Sequence, residues 1–264
     1  MALDDSYSKV LLHMDGADAS QTFTDESGKT WTANGNAQID TAQSVFGGAS
    51  GLFDGNGDYI TTPDHDDFSL GSGDFTIDCR IRPAVVNTRM YVIAQTKADG
   101  LTSSQCFEIA IALGPGGAGN GRIRGGIYSG KTGYYAGTNT LNTLAANTWY
   151  HFALVRYGNT LKAYLNGTAL PTTADVTGVT VNDPAQVETI GRWGDRNEYY
   201  YNGWIDEFRF SKGIARWTAN FTPPNVAYGA FPPKVKTWNG VAIASVKTIN
   251  GIAIANVKSV QGLT

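Results

Sequence analysis

The chain has 264 residues and a mass of 28.2 kDa, a length that suits one large β domain or two ordinary ones. Its 32 glycines, 13 tyrosines and 11 phenylalanines, with only 16% charged residues, are typical of an all-β protein with many tight turns and exclude a helical bundle. The formal net charge of −3 argues against nucleic acid as the main partner.

The first residues, MALDDSYSKVLLHMDG, have neither the basic nor the apolar region of a secretory signal peptide. No apolar run approaches the roughly 20 residues that a membrane-spanning helix needs. We therefore expect a soluble protein without membrane insertion, which would need some route other than a cleaved leader to act outside a cell.

Short strand-like segments, each ended by a turn signal, follow one another along the chain. They are KVLLHMDG (9–16), GGASGLFDGNGDYITTP (47–63), DFTIDCRIRP (74–83), RMYVIAQT (89–96), QCFEIAIAL (105–113), WYHFALVRYGNTLKAYLNGTAL (149–170), VETIGRW (187–193) and YYNGWIDEFRFSKG (200–213). Only residues 213–221 suggest a helical turn. Ten or more strands at this spacing predict an all-β, antiparallel two-sheet jelly-roll sandwich.

Paired Asn and Gly residues mark the predicted turns between these strands. Asn56-Gly57 predicts a hairpin, because this dipeptide favours the type I′ turn. The segment 149–170 predicts two strands joined near residues 158–159, followed by a second turn at Asn166-Gly167.

A proline-rich stretch, NFTPPNVAYGAFPPK, divides the chain near residue 228. Two Pro-Pro pairs fix φ and remove amide donors, so they end the domain and stiffen its exit. We predict a jelly-roll domain over 1–228, and a Pro-rich neck with a small β-ribbon over 229–264. The second segment carries four lysines and no acid, which leaves 16 basic and 23 acidic residues, a net charge of −7, in the first.

The second segment is built from eleven-residue repeats, VKTWNGVAIAS followed by VKTINGIAIAN. Asn239-Gly240 and Asn250-Gly251 predict hairpin turns with a nine-residue strand between them, and Trp238 is the one aromatic residue. So small a sheet is marginal alone, so we expect it to dock on copies of itself or on another protein. A disordered tail is the alternative.

Several segments together resemble laminin-G-like, concanavalin A-like jelly-roll domains. These segments are SGLFDGNGDYITTP, DFTIDCRIRP, WYHFALVRYGNTLKAYLNGT, TIGR and YNGWIDEFRFSKGIARWTANFTPP, within residues 7–225. The last of them is similar to segments of bacterial surface and bacteriophage virion proteins, and the eleven-residue ribbon is similar to terminal segments of phage structural proteins. The resemblance implies two packed antiparallel sheets, a role in binding glycans or proteins, and, in several members, a calcium ion at the sandwich edge.

Catalytic patterns are missing from the sequence. A concanavalin A-like glycosidase needs two carboxylates facing one cleft, about 5 Å apart for a retaining enzyme, and no Glu-x-Asp-x-x-Glu run occurs. Asp206 and Glu207 are adjacent, so strand alternation predicts that they point to opposite faces. There is no Gly-x-Ser-x-Gly elbow, and the three histidines have no metal-binding spacing. We predict a protein that is not an enzyme.

Calcium is the one cofactor that the sequence suggests. The sequence DGNGD at 54–58 begins like a calcium loop, but Tyr59 and His65 occupy the positions of the required Gly and acid, so a turn is the better interpretation. The resemblance implies another pair, Asp15 and Asp206, as ligands of a structural calcium ion. The alternative for Asp206 is a capped turn or an ion pair with Arg209.

Two stretches combine aromatic and planar polar residues in the way that sugar-binding surfaces do. They are GRWGDRNEYYYN and SGKTGYYAGTN, and the candidate ligand-binding residues are Arg192, Trp193, Asp195, Arg196, Tyr134 and Tyr135. The alternative is that these aromatic residues only cover the edge of the sandwich.

These observations predict a bacteriophage virion component, part of a tail, fibre or capsid decoration, that displays a lectin-like domain to host glycans. Its expected partners are other virion proteins or copies of itself, held through the ribbon. The alternatives are a secreted or cell-surface bacterial carbohydrate-binding module, a purely structural decoration protein without a ligand, and a degraded glycosidase.

Overall fold

A computed structural model gives the fold. It describes residues 5–96, 105–113, 119–138, 143–194 and 197–229, and eight residues near the C-terminus at 237–238, 241–242, 248–249 and 252–253. Of these eight, and of residues 112–113 and 119–120, only the backbone is described. Two compact units are present, Met1–Gly229 and Ala230–Thr264.

The described elements are strands and one short helical turn. The strands are β1 (Ser8–Leu12), β2 (Thr32–Asn34), β3 (Gln38–Asp40), β4 (Ser50–Asp54), β5 (Tyr59–Thr62), β6 (Phe75–Pro83), β7 (Met90–Thr96), β8 (Gln105–Leu113), β9 (Gly119–Ser129), β10 (Thr132–Gly137), β11 (Tyr150–Tyr157), β12 (Thr160–Leu165), β13 (Thr168–Ala169), β14 (Ala174–Asp175), β15 (Glu188–Ile190), β16 (Asn202–Lys212), β17 (Thr237–Trp238), β18 (Val241–Ala242), β19 (Thr248–Ile249) and β20 (Ile252–Ala253). The turn is a 3-10 helix at Asp66–Phe68, which the sequence pattern did not suggest.

The first unit is a sandwich of two antiparallel sheets, which confirms the predicted fold class. The first sheet has the order β13-β12-β11-β6-β16-β4-β3, with β1 added beside β16 and β14 beside β12. The second sheet has the order β10-β9-β8-β7-β15-β5-β2.

The core lies between the inner faces of the two sheets. In β6, residues Phe75, Ile77, Cys79 and Ile81 alternate along one face and are fully buried. The same alternation brings Ile109 and other apolar residues of the second sheet into this cluster. The periodicity of two that strands impose is therefore what the sequence encodes most clearly.

The segment 54–58 does not form the predicted hairpin. β4 belongs to the first sheet and β5 to the second, so the turn carries the chain across the sandwich. Asp58 fixes this crossing by accepting hydrogen bonds from the amides of Asn36 (2.6 Å) and Asp54 (3.0 Å). The Asn56-Gly57 dipeptide marked a turn correctly, but a turn signal does not determine which strands pair.

The two turns of segment 149–170 are confirmed. β11 pairs with β12 up to Tyr157↔Thr160, and β12 pairs with β13 through Leu165↔Thr168. Asn166 (φ 49°) and Gly167 (φ 76°) both take the left-handed conformation that a type I′ turn requires. In contrast, residues 213–221 contain bends and no helical turn, so that prediction is wrong.

The outer face of the first sheet is covered by the segment 214–228, which we call the strap. Trp217 and Phe221 of the strap stack with ring centroids 4.0 Å apart and planes 6° from parallel. Together they pack on Ala153, Val155 and Tyr164. The apolar residues within 213–221 therefore pack on the first sheet and do not form a helix.

A buried polar network lies beneath the strap. Asp78 accepts two hydrogen bonds from Arg209, both at 3.1 Å, and one from the Tyr228 hydroxyl. His151 Nε2 lies 3.4 Å from Asp78 and 3.0 Å from the Tyr228 hydroxyl. The Arg209 pairing that the sequence left open for Asp206 is thus made with Asp78.

The second unit contains two short strand pairs. β17 pairs with β18 through Trp238↔Val241, and β19 pairs with β20 through Ile249↔Ile252. The predicted turn residues Asn239, Gly240, Asn250 and Gly251 lie outside the described residues, as do residues 243–247 of the predicted nine-residue strand.

Candidate functional site

The outer face of the second sheet, which points away from the core, carries a distinctive set of side chains. Strand register aligns Tyr135, Gly126, Glu108, Ala94 and Thr189 in one row across five strands. Gly126 and Ala94 flank Glu108 in this row, so large neighbouring side chains can lie over these two small residues. A Cβ atom at Gly126 would come within 2.5 Å of the Tyr135 ring, which therefore lies across the glycine.

Three aromatic rings cover one end of this outer face, and we call them the aromatic cluster. Trp193 stacks on Tyr91 with ring centroids 5.4 Å apart and planes 10° from parallel. Tyr199 leans on both rings, with its centroid 5.6 Å from Trp193 and 6.1 Å from Tyr91. Tyr91 is fully buried, whereas Trp193 and Tyr199 are half-buried, so the cluster presents an indole and a phenol at the surface.

Arg89 holds its guanidinium among these rings. Its central carbon lies 5.1 Å from the centroids of Tyr91 and Trp193 and 4.7 Å from that of Tyr199. Arg89 also donates a hydrogen bond to the Tyr91 hydroxyl. Ring faces attract a cation at this range, so the aromatic cluster fixes a positive charge at the surface.

The other end of the face is organised around a buried carboxylate, and we call this group the Glu108 network. Glu108 accepts hydrogen bonds from Arg124 (2.9 Å) and from the Tyr128 hydroxyl (3.0 Å). Tyr135 donates to the Tyr128 hydroxyl at 2.7 Å, and the Arg124 guanidinium lies 4.2 Å from the Tyr135 ring centroid.

Burial and the neighbouring carboxylate govern protonation in this network. Burial alone would lower the pKa of Arg124, but Glu108 outweighs it and the pKa rises. Burial, together with Glu108, raises the pKa of Tyr128 far above its ordinary value. Arg124 therefore stays charged and Tyr128 stays a hydrogen-bond donor at every physiological pH.

The structure describes four of the six predicted ligand-binding residues, and these four have different surroundings. Trp193 joins the aromatic cluster and Tyr135 joins the Glu108 network, so the structure brings these two to one face. Tyr134 points the other way and packs against the core. Asp195 and Arg196 lie outside the described residues.

The remaining predicted residue, Arg192, is buried and shapes the loop that carries Trp193. Its Nε donates to the Gly194 carbonyl at 2.8 Å, and a terminal nitrogen donates to Asn197 at 2.8 Å. Its guanidinium also stacks over Tyr59 at 3.7 Å. Arg192 thereby positions the neighbouring tryptophan.

Sequence reasoning missed Arg89, Tyr91, Glu108 and Arg124. Glu108 could have been found, because it interrupts the apolar alternation of CFEIAIAL on the face opposite Phe107. Tyr91 could not, because an irregularity in the β7–β8 register between Tyr91 and Ile93 breaks the alternation on that strand.

Asp15 and Asp206, the predicted calcium ligands, lie near each other around the loop 45–49. Asp206 is fully buried, and its Oδ2 accepts from the amides of Val45 (2.6 Å) and Phe46 (3.2 Å). A Cβ atom at Gly47 would overlap the Asp15 carboxylate, so glycine is required there. The Oδ1 atoms of both aspartates are buried and have no hydrogen-bond partner among the residues that the structure describes.

The pKa values of the two carboxyl groups are both raised, and a nearby cation would stabilise their ionised forms. Burial, with a contribution from Glu207 and Asp15, raises the pKa of Asp206 to about 7. Burial likewise raises the pKa of Asp15. Two unsatisfied carboxylate oxygens are suited to calcium, which binds oxygen ligands from carboxylates, backbone carbonyls and water. Among the described residues, no three Asp, Glu, His or Cys side chains form a metal-binding group.

Glu207 differs from the simple alternation that the sequence suggested. The β6–β16 register shifts between Asp206 and Arg209, and Glu207 takes a left-handed φ of 49°. Glu207 is consequently buried as well, where it lies 2.8 Å from His13 and accepts from the Tyr228 amide at 2.7 Å. The two adjacent acids thus bind different partners and share no cleft.

Sandwich topology and an aromatic-rich sheet face define a lectin-like jelly roll. The family model described as the concanavalin A-like lectin/glucanases superfamily matches residues 54–218. The chain belongs to this superfamily, which confirms the resemblance identified in its sequence.

Solved structures with the same fold include receptor-binding domains of bacterial toxins. The binding domain of Paraclostridial Mosquitocidal Protein 1 matches with a TM-score of 0.59 at 14% identity, over 79% of this chain and 49% of that one. The botulinum neurotoxin serotype D ligand-binding domain, in complex with N-acetylneuraminic acid, matches with a TM-score of 0.57 at 14% identity, over 81% and 49%. This chain therefore spans about half the length of these structures.

No curated protein matches the chain by sequence. Across the described ranges, no helix combines the length and apolar character needed to cross a bilayer.

Proposed function

We propose that the chain is a non-enzymatic, glycan-binding protein whose ligand lies on the outer face of the second sheet. The observation that carries this proposal is the half-buried Trp193 ring, held by stacking on Tyr91 and by the Arg192 loop. Saccharide rings pack their apolar C–H faces on such fixed aromatic rings, while neighbouring polar groups bind the hydroxyls. Arg89 and the Glu108 network supply those polar groups.

The arrangement of the acids supports a binding role over hydrolysis. Glycoside hydrolysis needs two carboxylates that face one cleft and exchange protons with substrate. Glu108 has both oxygens engaged, one by Arg124 and the other by Tyr128. Asp206 and Glu207 are buried against separate partners.

Screening on a glycan array, followed by calorimetry on the best ligand, tests this proposal. Trp193→Ala should abolish detectable binding, because aromatic stacking supplies much of the affinity in such sites. Tyr157→Ala is the matched control, because Tyr157 is an exposed aromatic residue of the first sheet (59% exposed). Binding that survives Trp193→Ala, or a complete lack of glycan binding, would contradict the proposal; the second result would favour a decoration protein without a ligand.

We propose in addition that Asp15 and Asp206 hold a structural calcium ion. The buried, unpartnered Oδ1 atoms of both residues and the raised pKa of Asp206 support this site. The ion would supply positive charge to two carboxylates that otherwise repel each other. It would tie the loop 45–49 to β16 and leave the outer face of the second sheet unchanged.

The biological setting that we propose is a bacteriophage virion, with the C-terminal segment as the attachment device. Two features support it. Residues 202–224 resemble segments of bacterial surface and bacteriophage virion proteins. The C-terminal segment is a separate compact unit with paired strands on either side of each predicted Asn-Gly turn. The lectin-like domain would then be displayed on a particle, bound to other virion proteins or to copies of itself. A secreted or cell-surface module is the alternative.

Removing residues 230–264 tests the attachment role. Because Met1–Gly229 is a compact unit with its own core, the shortened chain should stay folded and bind the same glycan. Native mass spectrometry of both chains should show loss of oligomers or of particle incorporation in the shortened one. Unchanged assembly would exclude the segment as the attachment device.

A further inference from the structure

Three arginines lie on the outer face of the second sheet. Arg89 precedes β7 and lies over the aromatic cluster. Arg122 and Arg124 are two residues apart in β9, so strand alternation places both on the same face. All three side chains are half-buried, so each has given up part of its hydration.

Each of these arginines has a donor without an acceptor. The Nε atoms of Arg89, Arg122 and Arg124 are buried and have no hydrogen-bond partner within the described part of the chain. A buried donor without an acceptor is costly, and native proteins contain few of them. Three such donors on one sheet face form a cluster of guanidinium groups that the described residues leave incompletely satisfied.

The charge on this face is unbalanced as well. Glu108 pairs with Arg124, but no described carboxylate pairs with Arg89 or Arg122. Aromatic rings stabilise the Arg89 cation through their faces. The ring faces do not accept the in-plane N–H groups of Arg89, one of which donates to the Tyr91 hydroxyl. Two guanidinium groups are therefore left to bind an anion.

Spacing on the sheet suits a saccharide longer than one ring. Register aligns Arg124, Ala110 and Tyr91 across three neighbouring strands. With about 4.8 Å between strands, Arg124 and the ring beneath Arg89 are about 10 Å apart. A ligand that stacks on Trp193 can thus reach both ends of the row.

We propose that the outer face of the second sheet selects acidic saccharides, with Arg89 and Arg122 as the residues that bind the ligand's carboxylate or sulfate. This inference rests on the proposed function and names its ligand class. The planar guanidinium matches both anions with paired N–H donors, and the aromatic cluster binds the sugar ring beside them. Arg124 contributes less, because Glu108 already engages it.

The test uses the full chain and an array of saccharides printed in matched pairs. Each acidic member, bearing a uronate, a sialic acid or a sulfate, is placed beside its neutral parent, for example a uronate oligomer beside its carboxyl-reduced form. We expect at least about tenfold stronger binding to the acidic members, in line with one or two charge-assisted hydrogen bonds. Raising salt from about 0.05 M to about 0.5 M should weaken that binding and leave any neutral binding unchanged.

Substitutions then locate the anion site. Arg122→Gln should reduce acidic binding about tenfold and spare binding to the neutral parent, which also reports that the domain is folded. Arg89→Gln should reduce acidic binding by a similar factor and neutral binding by a smaller one, because Arg89 also lies among the rings that bind the sugar. Arg89→Lys should recover part of the loss, because it keeps the charge but not the paired donors. Arg82→Gln is the matched control, since Arg82 also stacks on an indole, that of Trp204 at 4.7 Å, but on the first sheet.

The outcomes separate the two proposals. Equal binding to acidic and neutral members, lost in Trp193→Ala, would overturn the anion site and leave the glycan-binding face in place. An acidic preference that survives both arginine substitutions would also overturn it. Binding to no member of any pair would overturn the proposed function and this inference together.

Discussion

Replacing Asp78 with asparagine should destabilise the domain more than any comparable change at its surface. Asp78 is fully buried, and Arg209, with 5% of its side chain exposed, binds it through two 3.1 Å contacts. Two unit charges at about 4 Å interact by about 4 kcal/mol at an effective dielectric constant of about 20. Removing one partner of a buried pair costs about 3–5 kcal/mol, because the other charge stays buried and unpaired.

Guanidinium chloride unfolding at pH 7, followed by fluorescence, measures this loss. Asp5→Asn is the matched control: Asp5 also binds an arginine through two contacts, at 2.9 and 3.0 Å to Arg216, but is 34% exposed and should cost about 1 kcal/mol or less. Tyr228→Phe removes one donor to the Asp78 carboxylate and should cost an intermediate amount, about 1.5–3 kcal/mol.

Acid gives a second measurement of the same interaction. Burial opposes ionisation of Asp78, but Arg209 and His151 outweigh it and hold its pKa well below the ordinary 3.8. The stability that ionised Asp78 contributes is therefore present above pH 3.8 and is lost as the pH falls towards the folded-state pKa. The difference between the wild type and Asp78→Asn should shrink in that range. A cost no larger than that of Asp5→Asn would refute the role assigned to the buried network.

Two further predictions concern the calcium site and the strap. Calcium at about 100 times its Kd should stabilise the wild type by about 2.7 kcal/mol in thermal unfolding. Asp206→Asn should remove this gain, whereas Asp66→Asn, a control at an exposed aspartate, should keep it. An equal gain in the two variants would exclude the site. Gly158→Ala should cost about 1–2 kcal/mol for its left-handed backbone, because no described atom lies within 4 Å of the new methyl group. Gly167→Ala should cost about 1–3 kcal/mol more, because its methyl group would overlap the Phe221 carbonyl of the strap; equal costs in chemical unfolding would show that the strap does not pack on this turn.

Much of the fold is local and could be predicted from the sequence. Alternation in FTIDCRI identifies a strand and its buried face, because side chains alternate with a period of two whatever the partner strand is. Asn166-Gly167 identifies its turn for a similar reason, since both residues adopt the left-handed backbone at little cost. The family resemblance then limited the number of ways in which such strands could pair.

Other features depend on contacts that are distant in sequence. Whether Asn56-Gly57 joins paired strands or crosses the sandwich depends on β2, β3, β15 and β16, which bind the flanking strands. Residues 213–221 suggested a helical turn in isolation, yet docking on the first sheet determines the course of the strap.

The candidate site shows the same division. The sequence alone determined that Trp193 and Tyr135 are aromatic residues beside glycine turns, of the kind that bind sugars. Only the tertiary structure decided that they share one face, that Arg192 supports the loop, and that Tyr134 packs inward. It also placed Arg89 over three rings contributed by two distant segments of the chain. Strand pairing sets these neighbours, because it depends on hydrogen bonds between backbones far apart in sequence, which no short motif encodes.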